Sequence, residues 1–394
     1  MERSIIHLNV ADFAVAVESL IDPGLRGYPL AIAPGDSSRA CIYDMSEEAF
    51  QQGIQKSMPL ARARRICRDL RILPPRFDRY ERAMKDIVKE ALPYSPLIEY
   101  GEADGHIFMD LTGSDRLFGP PRDVAWKLAR KIKRNFALEP IWSVASSKLV
   151  AKIATRLVKP VGEYIVRQGE EQELLKPLPL GLVPGMEKSD LVKLKEFNFN
   201  FVYEVLAMDM EHLRVFFGKR AGFIYDLMRG VDFSPVLPVF AMETPVEAEY
   251  EFAGDTNDRK TLKSVMYILT EKICMVLRRK GRAAEKLKLK IGYTDGVHGF
   301  GILGVKPASS NELKLYKAAE KLLDRVVKRR IQVRYIRLVC DKYIFSRDLL
   351  VQMDLFENTG ERAEKQEALI KVMDKIRDRF GYDAIGAGIG KLAL

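Results

Sequence analysis

Asn9, Ala11 and Asp12 fall where one short element hands over to another. Residues 5–10, Ile-Ile-His-Leu-Asn-Val, read as a short buried strand, and residues 12–20 read as the first turns of a helix. Polar groups at a strand-to-helix junction are where α/β enzymes keep catalytic ligands, so Asn9 and Asp12 are candidates for chemistry. A neutral amide is a poor ligand for a hard divalent cation. Asp12, at the helix start, has an N-cap role open to it. A second pattern lies far downstream. Lys286, Lys288 and Lys290 alternate with Leu287, Leu289 and Ile291, giving a strand with one cationic and one apolar face. A row of lysines suits a phosphate backbone. Glu247, Glu249 and Glu251 share a face of an earlier strand and oppose part of that field.

The elements around the lysine row are legible. "VEAEYEF" (246–252) alternates as a strand, and a helix follows from about Asn257 to a stop at Gly281. "KLKLKIGY", the turn "TDGVHG", "GFGILGV", a helix from "SSNELKLYKAAEKLLDRVVKRR" and the strand "IQVRYIRLVC" complete a β-α-β-β-α-β order. That order predicts a sheet with two helices on one face and the other face free. Upstream, "LPLGLVPGMEKSDLVKLKEFNF" has the Pro-Gly turn of a helix-hairpin-helix, whose amides around Gly185 and Lys188 can hold a DNA phosphate. A plain helical hairpin fits the same stretch.

Bulk properties narrow the function classes. A chain of 394 residues is too long for one compact core and divides into two to four domains. With 47% apolar and 30% charged residues it is globular, without an apolar run long enough to span a membrane and without the residue order of a signal peptide, so a cytoplasmic location is expected. Cys41, Cys67, Cys274 and Cys340 are far apart and read as reduced, mostly buried thiols, and the four histidines are equally scattered. Neither set makes a local metal motif. Residues 246–343 hold 22 basic and 12 acidic side chains, a surplus equal to the chain's whole net charge of +10. A basic domain of this kind points to a polyanion partner.

Six segments in order resemble Y-family (translesion) DNA polymerases. "IIHLNVADFAVAVE" is similar to the first palm strand and helix, "QGIQKSMPLARARRIC" to the fingers, and "IFMDLTGSDRLFG" to the second palm hairpin. "SVASSKLVAKIATRLVKPVG" resembles the palm segment that ends on a phosphate-binding lysine, here Lys159. "VPGMEKSDLVKL" and "RGVDFSPV" resemble the thumb, and the basic domain the little finger. The resemblance implies an α+β multidomain, right-hand-like architecture. The palm would span 1–11 and 75–165, the fingers 12–74, the thumb with its helix-hairpin-helix 166–240 and the little finger 241–345. A tail (346–394) would carry a clamp motif and a helix.

The resemblance also implies three carboxylates around two magnesium ions. They would fall at Asn9, Gly105 and His106, so the three ligand positions are vacated. The ribose gate would fall at Ala14, and the triphosphate contacts at Glu47 and Phe50. Loss of the metal clamp costs several kcal/mol, roughly a thousandfold or more in rate. Asp12, Glu102 and Asp104 stand near enough to be weighed as substitutes, and Asp110 reads as structural. Gln352, Met353, Asp354, Leu355 and Phe356 resemble the pentapeptide that docks bacterial polymerases on the sliding clamp.

The combination is most similar to the ImuB-like members. It implies a catalytically inactive, nucleoid-associated homologue, without a metal cofactor, that joins DNA, the clamp, an ImuA-type partner and an error-prone C-family polymerase. DNA contacts are expected from Lys286, Lys288, Lys290, Arg330, Arg334 and Arg337. Leu369, Val372, Met373, Ile376 and Phe380 form an apolar stripe on the tail helix for a partner groove. The alternative is a weakly active translesion polymerase with makeshift ligands.

Overall fold

A computed structural model describes residues 2–34, 40–101, 103–239, 245–346, 368–370, 372–377, 379 and 384–385. The chain divides into two compact units, Met1–Met242 and Glu243–Leu394.

The first unit is built on β1 (Ile5–Val10), which is buried along its whole length. Its alternation serves two different layers. Ile6, Leu8 and Val10 join Tyr80, Met84, Ile87, Leu128 and Ile132 of the helices Phe77–Ala91 and Pro121–Phe136. On the opposite face, Ile5 packs with Val150, Ala151 and Ala154 of the helix Lys148–Leu157, and His7 and Asn9 follow it along the strand. Each fully buried Leu or Ile contributes roughly 1.5–3 kcal/mol.

Short strands β2 (Leu30–Ile32), β3 (Asp44–Met45) and β4 (Arg71–Leu73) form a separate sheet in the order β3-β2-β4. Strands β5 (Ile98–Tyr100), β6 (His106–Asp110), β7 (Pro140–Ala145) and β8 (Glu163–Ile165) complete the main sheet, ordered β5-β6-β1-β7-β8. A helical segment follows, with Leu175, Leu194, Val205, Leu213 and Ile224 in its core.

The second unit has the β-α-β-β-α-β order read from the sequence. Strands β9 (Val246–Thr256), β10 (Arg282–Tyr293), β11 (His298–Ser309) and β12 (Val333–Phe345) lie antiparallel in the order β11-β10-β12-β9. The helices Arg259–Arg279 and Glu312–Val326 cover one face over Leu287, Leu289, Ile291, Ile336 and Leu338. They start two and three residues later than the sequence suggests, capped by Asp258 and Asn311 side chains. Gly301 lets the second helix approach, since a Cβ there would lie 2.5 Å from Val326.

The tail helix carries the expected apolar residues in two settings. Leu369 and Val372 are 60% and 53% exposed, Met373 and Ile376 are half-buried, and Phe380 lies outside the described residues. Charge anchors this helix instead. Arg377 is buried against Glu271 and Glu312 and donates its Nε–H to the Ile385 carbonyl at 3.1 Å. Arg278 joins Glu312 at 2.9 Å to Asp374 at 2.6 Å. Arg377 and Arg278 hold the helix through carboxylates while Leu369 and Val372 of the apolar stripe stay exposed.

Candidate active site and nucleic-acid face

β1 and β6 pair antiparallel with Asn9 opposite His106 and His7 opposite Phe108, so these four side chains share one sheet face. The helix Lys148–Leu157 lies over that face, because Thr155 Oγ1 sits 2.7 Å from His7 Nδ1. Thr155 donates its hydroxyl proton to the Lys152 carbonyl at 2.9 Å, so His7 donates from Nδ1 to Thr155. His7 Nε2 is then an acceptor, facing His106 Nδ1 at 3.0 Å. His7 also stacks on Phe108 at 4.4 Å.

Both imidazoles are held neutral. Burial, followed by His106, Lys152, Lys159 and Arg156, lowers His7 well below its ordinary range. Burial, then Lys152, Lys159, Lys56 and Arg156, pushes His106 down to about 3.

This arrangement does not fit a magnesium pair. Asn9 is 2% exposed, its Nδ2 has no hydrogen-bond partner, and its neutral amide brings no negative charge to a divalent cation. Gly105 does more than lack a carboxylate. Its φ is +79°, and a Cβ would lie 2.7 Å from the Val10 carbonyl oxygen and 2.8 Å from Phe13 Cβ. The Val10 N–H donates to the Gly105 carbonyl at 3.0 Å and locks this closure. Among the described residues, no group of three or more His, Cys, Asp or Glu side chains is placed to hold a metal ion.

The nearby carboxylates have other settings. Asp104 Oδ1 accepts the His106 N–H at 3.0 Å, a turn role, and Asp110 Oδ1 accepts the Thr112 N–H at 2.9 Å. Glu102 lies outside the described residues. Asp12 corrects the expectation of an N-cap: it takes a left-handed backbone, φ 48°, and makes no capping bond. Asp44, arriving from β3, accepts the Ala14 N–H at 2.9 Å in its place and pairs with Lys56 at 2.7 Å. Asp12 is raised to about 6 by burial and by Asp44, against Lys159 and Lys56. Ala14 is fully buried, Phe50 is 51% exposed, and Glu47 accepts from Gln51 one turn along its helix.

Lys159 stands past the end of the Lys148–Leu157 helix, lowered by desolvation and by Lys56 and Arg156 while Asp12 and Asp44 oppose. Sequence reasoning found Lys159 but missed Lys152 and Arg156. Their four-residue spacing beside Thr155 was the available signal, since it puts both cations on one helix face.

The C-terminal sheet leaves the lysine row on its uncovered face, yet most of its cations are matched. Lys286 and Lys288 both reach Asp341, Arg334 meets Glu251 at 3.1 Å, and Arg337 meets Glu249. Lys290 and Arg330 make no ion pair among the described residues. Phe300 and Ile302, cross-strand neighbours of Lys290 and Lys288, are 62% and 48% exposed. In the helical segment, Gly185 adopts φ +94° and Lys188 opens the helix Lys188–Glu196. Carboxylates already occupy that end. The Glu187 N–H donates to Asp190 Oδ2 at 3.1 Å, and Arg220 bridges Glu187 and Asp190 at 2.7 and 2.8 Å. Gln352, Met353, Asp354, Leu355 and Phe356 lie outside the described residues.

Residues 8–156 match the impB/mucB/samB family, and residues 246–355 match the impB/mucB/samB family C-terminal domain. A DNA polymerase IV of Halorhodospira halophila is 31% identical over 74% of this chain and 82% of its own length. The chain belongs to the Y family of DNA polymerases. A DNA polymerase IV of Desulfatibacillum aliphaticivorans is 29% identical over 98% of this chain and 96% of its own length. Among solved structures, a Y-family Dbh–Dpo4 chimera superposes with a TM-score of 0.76 at 20% identity, covering 87% of this chain and 99% of the chimera. An insertion ternary complex of Dbh DNA polymerase superposes at 0.63 with 21% identity.

These matches correct two expectations. A chain that is not an enzyme is at odds with relatives named DNA polymerase IV along nearly its full length. The absence of a cofactor falls with it, because polymerase chemistry of this kind runs on a divalent metal. Asn9, Gly105 and His106 still offer no carboxylate side chain. Among the described residues no helix is long and apolar enough to cross a membrane.

Proposed function

We propose that this Y-family chain is a translesion DNA-directed DNA polymerase of low intrinsic rate, held on its substrate by DNA contacts and a sliding-clamp tether. The near-complete match of both lengths to a protein named DNA polymerase IV carries the reading, at 98% and 96%. The low rate follows from Asn9, Gly105 and His106, which cost roughly a thousandfold or more against a full carboxylate set. Among the described residues, Asp12 is the nearby carboxylate left to act there, since Asp104 and Asp44 are committed to hydrogen bonds. Of the six cations expected to meet DNA, Lys290 and Arg330 make no ion pair among the described residues and are open to phosphates. Gln352–Phe356 supplies an apolar Leu-Phe pair for a clamp pocket, with the Gln352 amide setting polarity.

Primer extension by the purified chain, with Mg²⁺ or Mn²⁺, tests this directly. Slow, template-directed product that disappears in Asp12→Ala is expected. No product on a primer-template that the chain demonstrably binds overturns it. For the tether, a clamp pull-down should lose the Leu355→Ala/Phe356→Ala variant, and equal retention sinks that part.

A further inference from the structure

We infer that the exposed face of the helix Pro121–Phe136 docks an acidic amphipathic helix of a partner protein. This helix packs on the sheet face of Ile6, Leu8 and Val10, opposite the face that carries His7 and Asn9. The surface is therefore separate from the site described above.

The helix has two unlike sides. Val124, Ala125, Leu128, Ala129 and Ile132 are buried in the core. At 3.6 residues per turn, Trp126, Lys127, Arg130, Lys133 and Arg134 fall together on the outward side. With Lys131 they line a groove of about 610 Å³, whose walls are the indole and the methylene stems of the cations. Some of these charges are already matched. Lys131 pairs with Glu90 at 2.6 Å, Lys133 with Glu139, and Arg122 near the helix start with Asp123 at 3.4 Å. Lys127, Arg130 and Arg134 make no ion pair among the described residues. Arg134 reaches the Asn135 side-chain oxygen at 3.5 Å, and Glu90, which lies within its field, is engaged by Lys131 and by Asn135 at 3.0 Å.

Trp126 is an observation independent of the charge. It is 46% exposed, with the Arg130 guanidinium 4.7 Å above its ring. An indole held in water forgoes the burial that a partner restores, and Trp beside Arg is the pairing that anchors protein interfaces.

The spacing selects the occupant. Lys127, Arg130 and Arg134 stand at i, i+3 and i+7, steps of about 4.5 and 6 Å along the axis. Carboxylates at i, i+3 and i+7 of a facing helix keep the same pitch, and an apolar residue beside them meets Trp126. Same-side residues of an extended chain repeat at about 6.6–6.8 Å and fall out of step. A nucleic-acid strand is the poorer fit, because Asp123, Glu90 and Glu139 bound the unpaired stripe and a long polyanion runs onto them.

Fluorescence anisotropy of the full chain with a labelled synthetic peptide tests the surface. The probe is an amphipathic helix of about 18 residues with glutamates at i, i+3 and i+7 and a leucine beside them. Its glutamine counterpart is the control. Saturable binding of the acidic peptide is expected, weakened about tenfold by Arg130→Gln and by Trp126→Ala. Lys127→Gln and Arg134→Gln should each weaken it less. Lys314→Gln, exposed on the C-terminal unit, should bind as wild type, and far-UV circular dichroism checks that each variant is folded. Primer-template affinity should be unchanged throughout, and a parallel loss there would make this face part of the DNA site and refute the inference. Equal binding of the glutamine counterpart, or full retention by both Arg130→Gln and Trp126→Ala, overturns it. Loss in the charge variants with Trp126→Ala unaffected marks general attraction of polyanions and is equally fatal. Displacement of the peptide by a lower concentration of oligothymidylate, dependent on the same residues, assigns the groove to a single strand instead.

Discussion

On the C-terminal sheet, Lys286 and Lys288 share Asp341, Arg334 meets Glu251 and Arg337 meets Glu249. In the N-terminal unit, Lys152, Arg156 and Lys159 act on two neutral histidines with no carboxylate in ion-pair contact among the described residues, and Arg156 donates to the Leu182 carbonyl instead. The first set is largely spent inside the protein. The second is held against repulsion and desolvation, which the folded chain sustains only because the rest of the sheet packs well. Cation number alone therefore locates function poorly. Whether each cation has an internal partner is the better guide, and it points away from the lysine row that the sequence advertises.

The largest effect that would break this contrast is on stability. Arg377→Met removes a buried guanidinium from Glu271 and Glu312 and should destabilise the C-terminal unit by about 3–5 kcal/mol in urea unfolding. Lys152→Met, by contrast, should change stability by less than about 1 kcal/mol or raise it, since it relieves a like-charge neighbour. Comparable losses in both variants would erase the distinction.

A smaller effect is linked to pH. Asp12 has its folded value raised from 3.8 to about 6, so the folded chain binds this proton more tightly than the unfolded one. Ionised Asp12 thus weakens the fold, and the penalty fades as pH falls through about 6 to 4. Asp12→Asn should be more stable than wild type near pH 7 by up to ~2 kcal/mol, with the gain gone by about pH 4. His106 works the other way. Its value of about 3 against 6.5 means the unfolded chain takes the proton first, so stability drains as pH falls below about 6.5. Chemical denaturation at several pH values should show His106→Gln flattening that acid loss.

Smallest are the DNA-affinity changes at the paired face. Lys290→Ala should weaken duplex binding by about 1 kcal/mol and reduce the salt slope by nearly one phosphate contact. Arg337→Ala should do less, because Glu249 already offsets it. Glu249→Gln should tighten binding slightly. The reverse ranking in fluorescence anisotropy would mean the pairs open on DNA.

Regular alternation made the C-terminal sheet legible, down to its uncovered face and the opposing glutamates 247, 249 and 251. Asp341 was not foreseen, because its approach to Lys286 and Lys288 depends on how β12 bulges against β10. In the N-terminal unit, the positions of Asn9, Gly105 and His106 could be aligned from segment resemblance. What they do could not. Asp44 capping the Phe13 helix and Thr155 holding His7 are contacts between residues 30 and 148 positions apart, invisible to any local pattern. The expected cap at Asp12 failed for the same reason: a distant side chain arrived first.

Gly105 sets an order on any attempt to re-engineer this site. Asn9→Asp and His106→Glu are simple exchanges of side chain on an intact sheet. Position 105 is a matter of chain path, because its left-handed turn leaves a Cβ pressed against Val10 and Phe13. The third ligand requires the turn at Asp104 and Gly105 to be redrawn first, and substituting ligands before that would add charge to a sheet face unable to share it.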